Sequence, residues 1–149
     1  MPRLITFCHG NLFDSEAQAL VNAVNCVGIM GKGIAAAFKK RYPAMFQDYA
    51  ARCKRGELKP GKPYPFSDPS GIIILNFPTK DHWRNPSRLD WIVAGLDHFA
   101  AHYQDWGIRS IAFPALGCGA GGLEWAEVKP LMVEKLGALD LAVEIYEPG

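Results

Sequence analysis

No apolar run in this chain approaches the ~18 residues needed to cross a membrane. The opening MPRLITFCHG has too short an apolar stretch, and no small-residue cleavage pattern, to serve as a signal peptide. Together these absences set the expectation of a cytoplasmic protein with no membrane partner. Cysteine is sparse: Cys8, Cys26, Cys53 and Cys118 are scattered without a CxxC pair, which excludes a zinc ribbon or a disulfide framework and leaves reduced thiols. Charge of one sign is lacking too, with 16 basic against 15 acidic residues and a formal net charge of +1. There is thus no global pull toward nucleic acid, although Lys39-Lys40-Arg41 and Arg52, Lys54 and Arg55 concentrate positive charge locally. The chain has no Gly-x-Ser-x-Gly elbow, no NTPase phosphate loop and no dinucleotide fingerprint, and it has neither internal repeats nor low-complexity tracts.

What is present reads as a single ordinary domain. A chain of 149 residues, 49% hydrophobic and 21% charged, can bury roughly 70% of its unfolded surface around one core. Apolar runs rich in β-branched residues place strands at Leu4 to Cys8, Ala19 to Val24, Ile72 to Phe77, Ile108 to Phe113 and Leu141 to Tyr146, with a weaker one at Tyr64 to Phe66. Helices fit between them: Gly33 to Arg41, Ala44 to Arg55, Ser87 to Asp105 with Ser87 as N-cap, and Trp125 to Leu136. The last tolerates Pro130 only by bending or starting late. Such alternation predicts a three-layer α/β domain with a sheet that is parallel in its middle, whose ligands bind beyond the carboxyl ends of the strands. The proline-rich Lys59 to Ser70 reads as an irregular connection within that domain.

Two glycine-rich segments sit at strand-to-helix junctions. NAVNCVGIMGKGIAAAF carries Gly28, Gly31 and Gly33 ahead of a helix, and FPALGCGAGGLEW carries Gly117, Gly119, Gly121 and Gly122. Glycines there let backbone N–H groups approach a ligand, and a helix N-terminus suits phosphate. Two such cradles in one small domain point to a diphosphate. Asn22 and Asn25 end the strand before the first cradle, where their amides suit either ribose hydroxyls or local turn bonds. Lys80 follows the strand Ile72 to Phe77 in NFPTKDHW, as a solvated loop lysine or as a cation at a cleft rim. His98 and His102 have metal-compatible spacing but no third ligand, so no metal is expected. Cys118 has no assignable histidine partner to make it a nucleophile.

These residues carry a family resemblance over nearly the whole chain. ALVNAVNCVGIMGKGIAAAF resembles the first ligand loop of macrodomains, which bind ADP-ribose, and IAFPALGCGAGGLEW resembles their phosphate loop. The resemblance implies an α/β/α sandwich around a mixed, largely parallel six-stranded sheet, with no cofactor. MGKGIA, NFPTKDHWR, LGCG followed by LEW, and IYEPG are similar to the branch that contains terminal ADP-ribose protein glycohydrolase and the DarG-type antitoxins. That branch implies a glycohydrolase removing ADP-ribose from thymine bases of single-stranded DNA, opposing a DarT-type toxin, within a longer chain of which residues 1–149 are one macrodomain. It also implies Lys80 as the catalytic residue. Asn11, Asn22, Asn25, Gly31, Lys32, Gly33, Ile34, Gly117, Cys118, Gly119, Ala120, Gly121 and Tyr146 would bind ADP-ribose. Hydrolysis of ADP-ribose esters on protein carboxylates, and a non-catalytic reader, are the alternatives.

Two departures stand out. Where many macrodomains have Gly-Asp to read adenine, this chain has Gly10-Asn11, and where the human glycohydrolase carries an assisting aspartate, it has Gly121. Lys80 can act as an amine attacking the anomeric carbon or as an ammonium stabilising the departing base. The amine route needs a lowered pKa, from burial or from neighbouring cations, for which His82 and Arg84 are near in sequence. Trp83, with Arg84 and Arg88, has the mixture of aromatic and cation that suits single strands, and His82, Trp83 and Arg84 are the candidate DNA contacts.

Overall fold

Six strands assemble in the order β1-β6-β5-β2-β4-β3 in a computed structural model that describes residues 4–149. They are β1 (Ile5–Cys8), β2 (Ala19–Val24), β3 (Tyr64–Ser67), β4 (Ile73–Pro78), β5 (Ser110–Phe113) and β6 (Ala142–Tyr146). Every pairing is parallel except β3 with β4. The antiparallel strand lies at an edge, where Pro65 costs no ladder bond to a further neighbour. The mixed, largely parallel six-stranded sheet expected from the sequence is therefore the one formed.

Helices cover both faces, so the central strands are apolar on both sides. From β2, Ala19 and Val21 join one core with α3 (Leu89–His102) and α4 (Trp125–Gly137), while Leu20 and Val24 join a second with α1 (Gly33–Arg41) and α2 (Pro43–Lys54). Close packing fixes α3 on β4: a Cβ on Gly95 would lie 2.3 Å from the Phe77 ring. The basic run Lys39-Lys40-Arg41 ends α1, where it complements the helix dipole. Lys39 and Arg41 also lie over the rings of Phe46 and Phe13.

Several element boundaries differ from expectation. α3 starts at Leu89 with Arg88 as N-cap, because Ser87 is buried and gives its N–H to Gly121 O at 3.0 Å instead. β5 starts at Ser110; Ile108 is buried but still belongs to the turn, donating its N–H to Tyr103 O. α4 neither starts late nor avoids Pro130: it runs from Trp125 with that proline inside and on its exposed side, where water can reach the freed carbonyl.

Candidate active site

The parallel strands β2, β4, β5 and β6 all deliver their carboxyl ends to one edge of the sheet, and there a cleft of about 610 Å³ opens. Its walls come from loop 1 after β2 (Asn25, Ile29 and Gly31 to Ala35), from Thr79, Lys80 and Trp83 after β4, from loop 2 after β5 (Pro114, Ala115 and Gly117 to Gly121), and from Tyr146 and Pro148 after β6. A second hollow of about 420 Å³ shares Ile34, Pro114 and Tyr146 with it and is walled further by Asn11, Phe13 and Arg41. The two glycine segments and Lys80, far apart in sequence, thus meet around one elongated groove.

Loop 1 is rigid by virtue of Asn25. Its Nδ2 donates to Ile29 O at 2.7 Å, and its Oδ1 accepts from Val27 N at 3.0 Å and from the Tyr49 hydroxyl at 2.7 Å. The first two are local turn bonds, and Asn25 also lines the cleft. Asn22 lies beneath the loop, fully buried, with Nδ2 on Asn76 Oδ1 at 3.1 Å, and it does not line the cleft. Beyond Asn25 the chain opens into α1 at Gly33, whose φ of 64° favours glycine. Lys32 caps that helix without a side-chain bond, so the first-turn N–H groups stay free for an anion.

Loop 2 is built around Ser87. The Ser87 backbone holds Gly121 O, and its buried Oγ makes no hydrogen bond among the described residues. A Cβ on Gly121 would stand 2.4 Å from that Oγ and 2.4 Å from Gly117 O. The carboxylate of the human relative therefore has no room at this position. Cys118 lines the cleft, but burial, followed by the charge of Glu124, pushes its thiol up to about 11. A thiol kept protonated in this way is a poor nucleophile.

Lys80 reaches across from β4 to loop 2. Its Nζ donates to Ala120 O at 3.0 Å and to Trp83 O at 3.3 Å. Burial, then the charge of Lys32, holds its ammonium below the usual lysine range. The neighbouring cation is thus Lys32, and not His82 or Arg84 as sequence proximity suggested. Those two turn elsewhere: His82 Nδ1 accepts from Arg84 N at 3.1 Å, and the Arg84 guanidinium lies 4.7 Å from the Trp83 ring centre. Among the described residues no Asp or Glu lines this cleft, while Glu147 walls the second hollow. Asp81, next to Lys80, is turned to Asn85 Nδ2 at 3.1 Å and to the His82 N–H at 2.7 Å.

At the far end, Asn11 Oδ1 accepts from Phe13 N at 2.9 Å and caps a 3-10 turn, Leu12–Asp14. That spends part of the acceptor capacity expected to read a base. Tyr146 borders both hollows, and its hydroxyl donates to Glu144 Oε1 at 3.4 Å. His98 and His102 sit together on α3 with ring centres 4.2 Å apart, far from the groove's lining residues in sequence, and no group of three or more metal-type ligands occurs among the described residues. Sequence reasoning missed Thr79, Ser87, Val27 and Ile29. The last two had a readable signal, since large aliphatics are out of place in a glycine-rich loop.

A doubly covered, mostly parallel sheet with a groove at its carboxyl edge defines the class, and the Macro domain family matches residues 21–132: the chain belongs to that family. Within it, the chain is 44% identical to a DNA ADP-ribosyl glycohydrolase of Thermus aquaticus, over 97% of this chain and 41% of that protein. The macrodomain of Mycobacterium tuberculosis DarG superposes with a TM-score of 0.94 at 46% identity, covering 97% of this chain and 98% of that one. Thermosipho africanus DarTG, solved in complex with ADP-ribose, gives 0.92 at 40% identity over 97% of this chain and 41% of that chain. The chain spans less than half the length of the DNA ADP-ribosyl glycohydrolases of Thermus aquaticus and Mycobacterium bovis and of the Thermosipho africanus fusion protein.

Proposed function

We propose that this domain is a DNA ADP-ribosyl glycohydrolase that removes ADP-ribose from thymine bases of single-stranded DNA and so opposes a DarT-type toxin. The observation that carries the reading is Lys80, an ammonium below its usual range at the rim of a cleft without any carboxylate. The names of the similar proteins, which include a DNA ADP-ribosyl transferase–glycohydrolase fusion of Thermosipho africanus, support substrate and partner alike. In this reading the diphosphate lies between the free N–H groups of α1 and the backbone of loop 2. The base end lies against Asn11, Phe13 and Tyr146, and the distal ribose faces Lys80.

Cleavage of the N-glycosidic bond builds positive charge on the sugar and negative charge on the leaving base. With the carboxylate of the human relative excluded by Ser87 and Gly117, Lys80 is the group available to assist departure or to attack the anomeric carbon. Its two hydrogen bonds to carbonyls are ones that a substrate atom can replace. The test is release of ADP-ribose from a modified oligonucleotide, followed by mass spectrometry. Lys80→Ala should keep ADP-ribose binding while losing roughly 10²–10⁴-fold in release rate. Full release by that variant would falsify the catalytic role, and binding without release by the unmutated domain would make it a reader. Faster release from glutamate-modified protein than from DNA would move the substrate to carboxylate esters.

A further inference from the structure

Among the described residues the large apolar side chains left exposed are Leu4, Phe7, Val27, Ile29 and Trp83. Two of them, Ile29 at 44% exposed and Trp83 at 40%, line the cleft with Lys80, and Val27, 41% exposed, stands two residues before Ile29 on loop 1. The loops of Ile29 and Trp83 follow the neighbouring strands β2 and β4 and are joined where Cys26 N donates to Asp81 O at 3.3 Å. Asn25 ties down Val27 N and Ile29 O at once, and Tyr49 ties down Asn25, so the backbone that carries these two exposed aliphatic side chains is held in place.

The neighbouring lip after β4 has a different chemistry. The Arg84 guanidinium covers the Trp83 ring, and neither Arg84 nor Lys32 takes an ion pair among the described residues. Fixed apolar surface on one side, an indole under a bare cation on the other, and no carboxylate in the lining match a polyanion that carries flat apolar faces. We infer that Val27 and Ile29 on one lip and Trp83 with Arg84 on the other form a jaw that grips the nucleotides flanking the modified base of single-stranded DNA. The inference deepens the glycohydrolase reading and rests on it for the base held between the lips. In a duplex the flanking bases are stacked and paired, and the jaw cannot close on them.

The test measures binding to unmodified DNA, so it does not depend on catalysis. A labelled eight-nucleotide thymine-rich strand, alone and annealed to its complement, is titrated with the domain by fluorescence anisotropy. Calorimetry with ADP-ribose runs alongside. The single strand should bind roughly tenfold or more tighter than the duplex. Trp83→Ala should weaken single-strand binding about tenfold, the effect of losing one base stack. Val27→Ser should weaken single-strand binding while leaving ADP-ribose affinity unchanged. Equal binding of strand and duplex, or single-strand affinity untouched by both substitutions, would overturn the jaw and leave the lip to a protein partner. Failure of the unmutated domain to bind ADP-ribose would instead overturn the glycohydrolase reading, whatever the anisotropy shows.

Discussion

Lys80 holds its proton where two causes oppose it, burial first and the Lys32 charge second. Both disfavour the charged form, so the ammonium gives up its proton at lower pH than a free lysine does. Lys32→Gln removes the second cause, raises the Lys80 pKa and should move the Lys80-dependent limb of the kcat–pH profile to higher pH. Lys32→Arg should leave it in place. The sense of that limb also separates the two roles of Lys80. A rate that rises as the proton leaves belongs to an attacking amine, and a rate that falls belongs to an assisting ammonium. The place of Lys80 after a strand was legible in the sequence; the source of its charge neighbour was not. His82 and Arg84 are close in sequence but pair with each other, whereas Lys32 is brought to the same cleft only by the crossover from loop 1.

At the scale of elements, the strands and helices were legible because their apolar periods matched the two covered faces of the sheet. The contacts between loops were not, since they depend on which segments the topology sets side by side. Ser87 shows this well. Its type and position suit a helix cap, yet loop 2 claims it, and its Oγ and the Gly117 carbonyl both occupy the space beyond Gly121. From sequence, Gly121 was only a missing carboxylate; in the fold it is a position that admits no side chain. Gly121→Asp should therefore fail to restore the arrangement of the human relative. The expected outcome is a destabilisation of about 1–3 kcal/mol, from a side chain forced into filled space. By the usual scaling that is several degrees in Tm for a domain of this size, accompanied by weaker ADP-ribose binding. Thermal unfolding and calorimetry on the one variant check both. A stable variant with faster release would show that loop 2 yields where its packing says it does not.

The molecule as a whole carries a net charge of only +1, and much of its positive charge is already committed. Arg88 pairs with Asp90, Arg52 with Asp48, and Lys129 with Glu147, while Lys39 and Arg41 lie over the rings of Phe46 and Phe13. Long-range attraction to DNA is therefore weak, and the proposed binding is local to the carboxyl edge of the sheet, where Lys32 and Arg84 take no ion pair among the described residues. Each phosphate neutralised on a single strand contributes about −0.7 to the slope of log affinity against log salt, so two lip cations predict a slope of roughly −1.4. Anisotropy titrations with the eight-nucleotide strand at several salt concentrations measure it directly. A shallow slope fits a jaw that holds bases by their faces and phosphates at two points. A slope steeper than about −3, which requires more than four neutralised phosphates, would place the DNA on a broad basic face such as the end of α1, and it would separate strand binding from the cleft that contains Lys80.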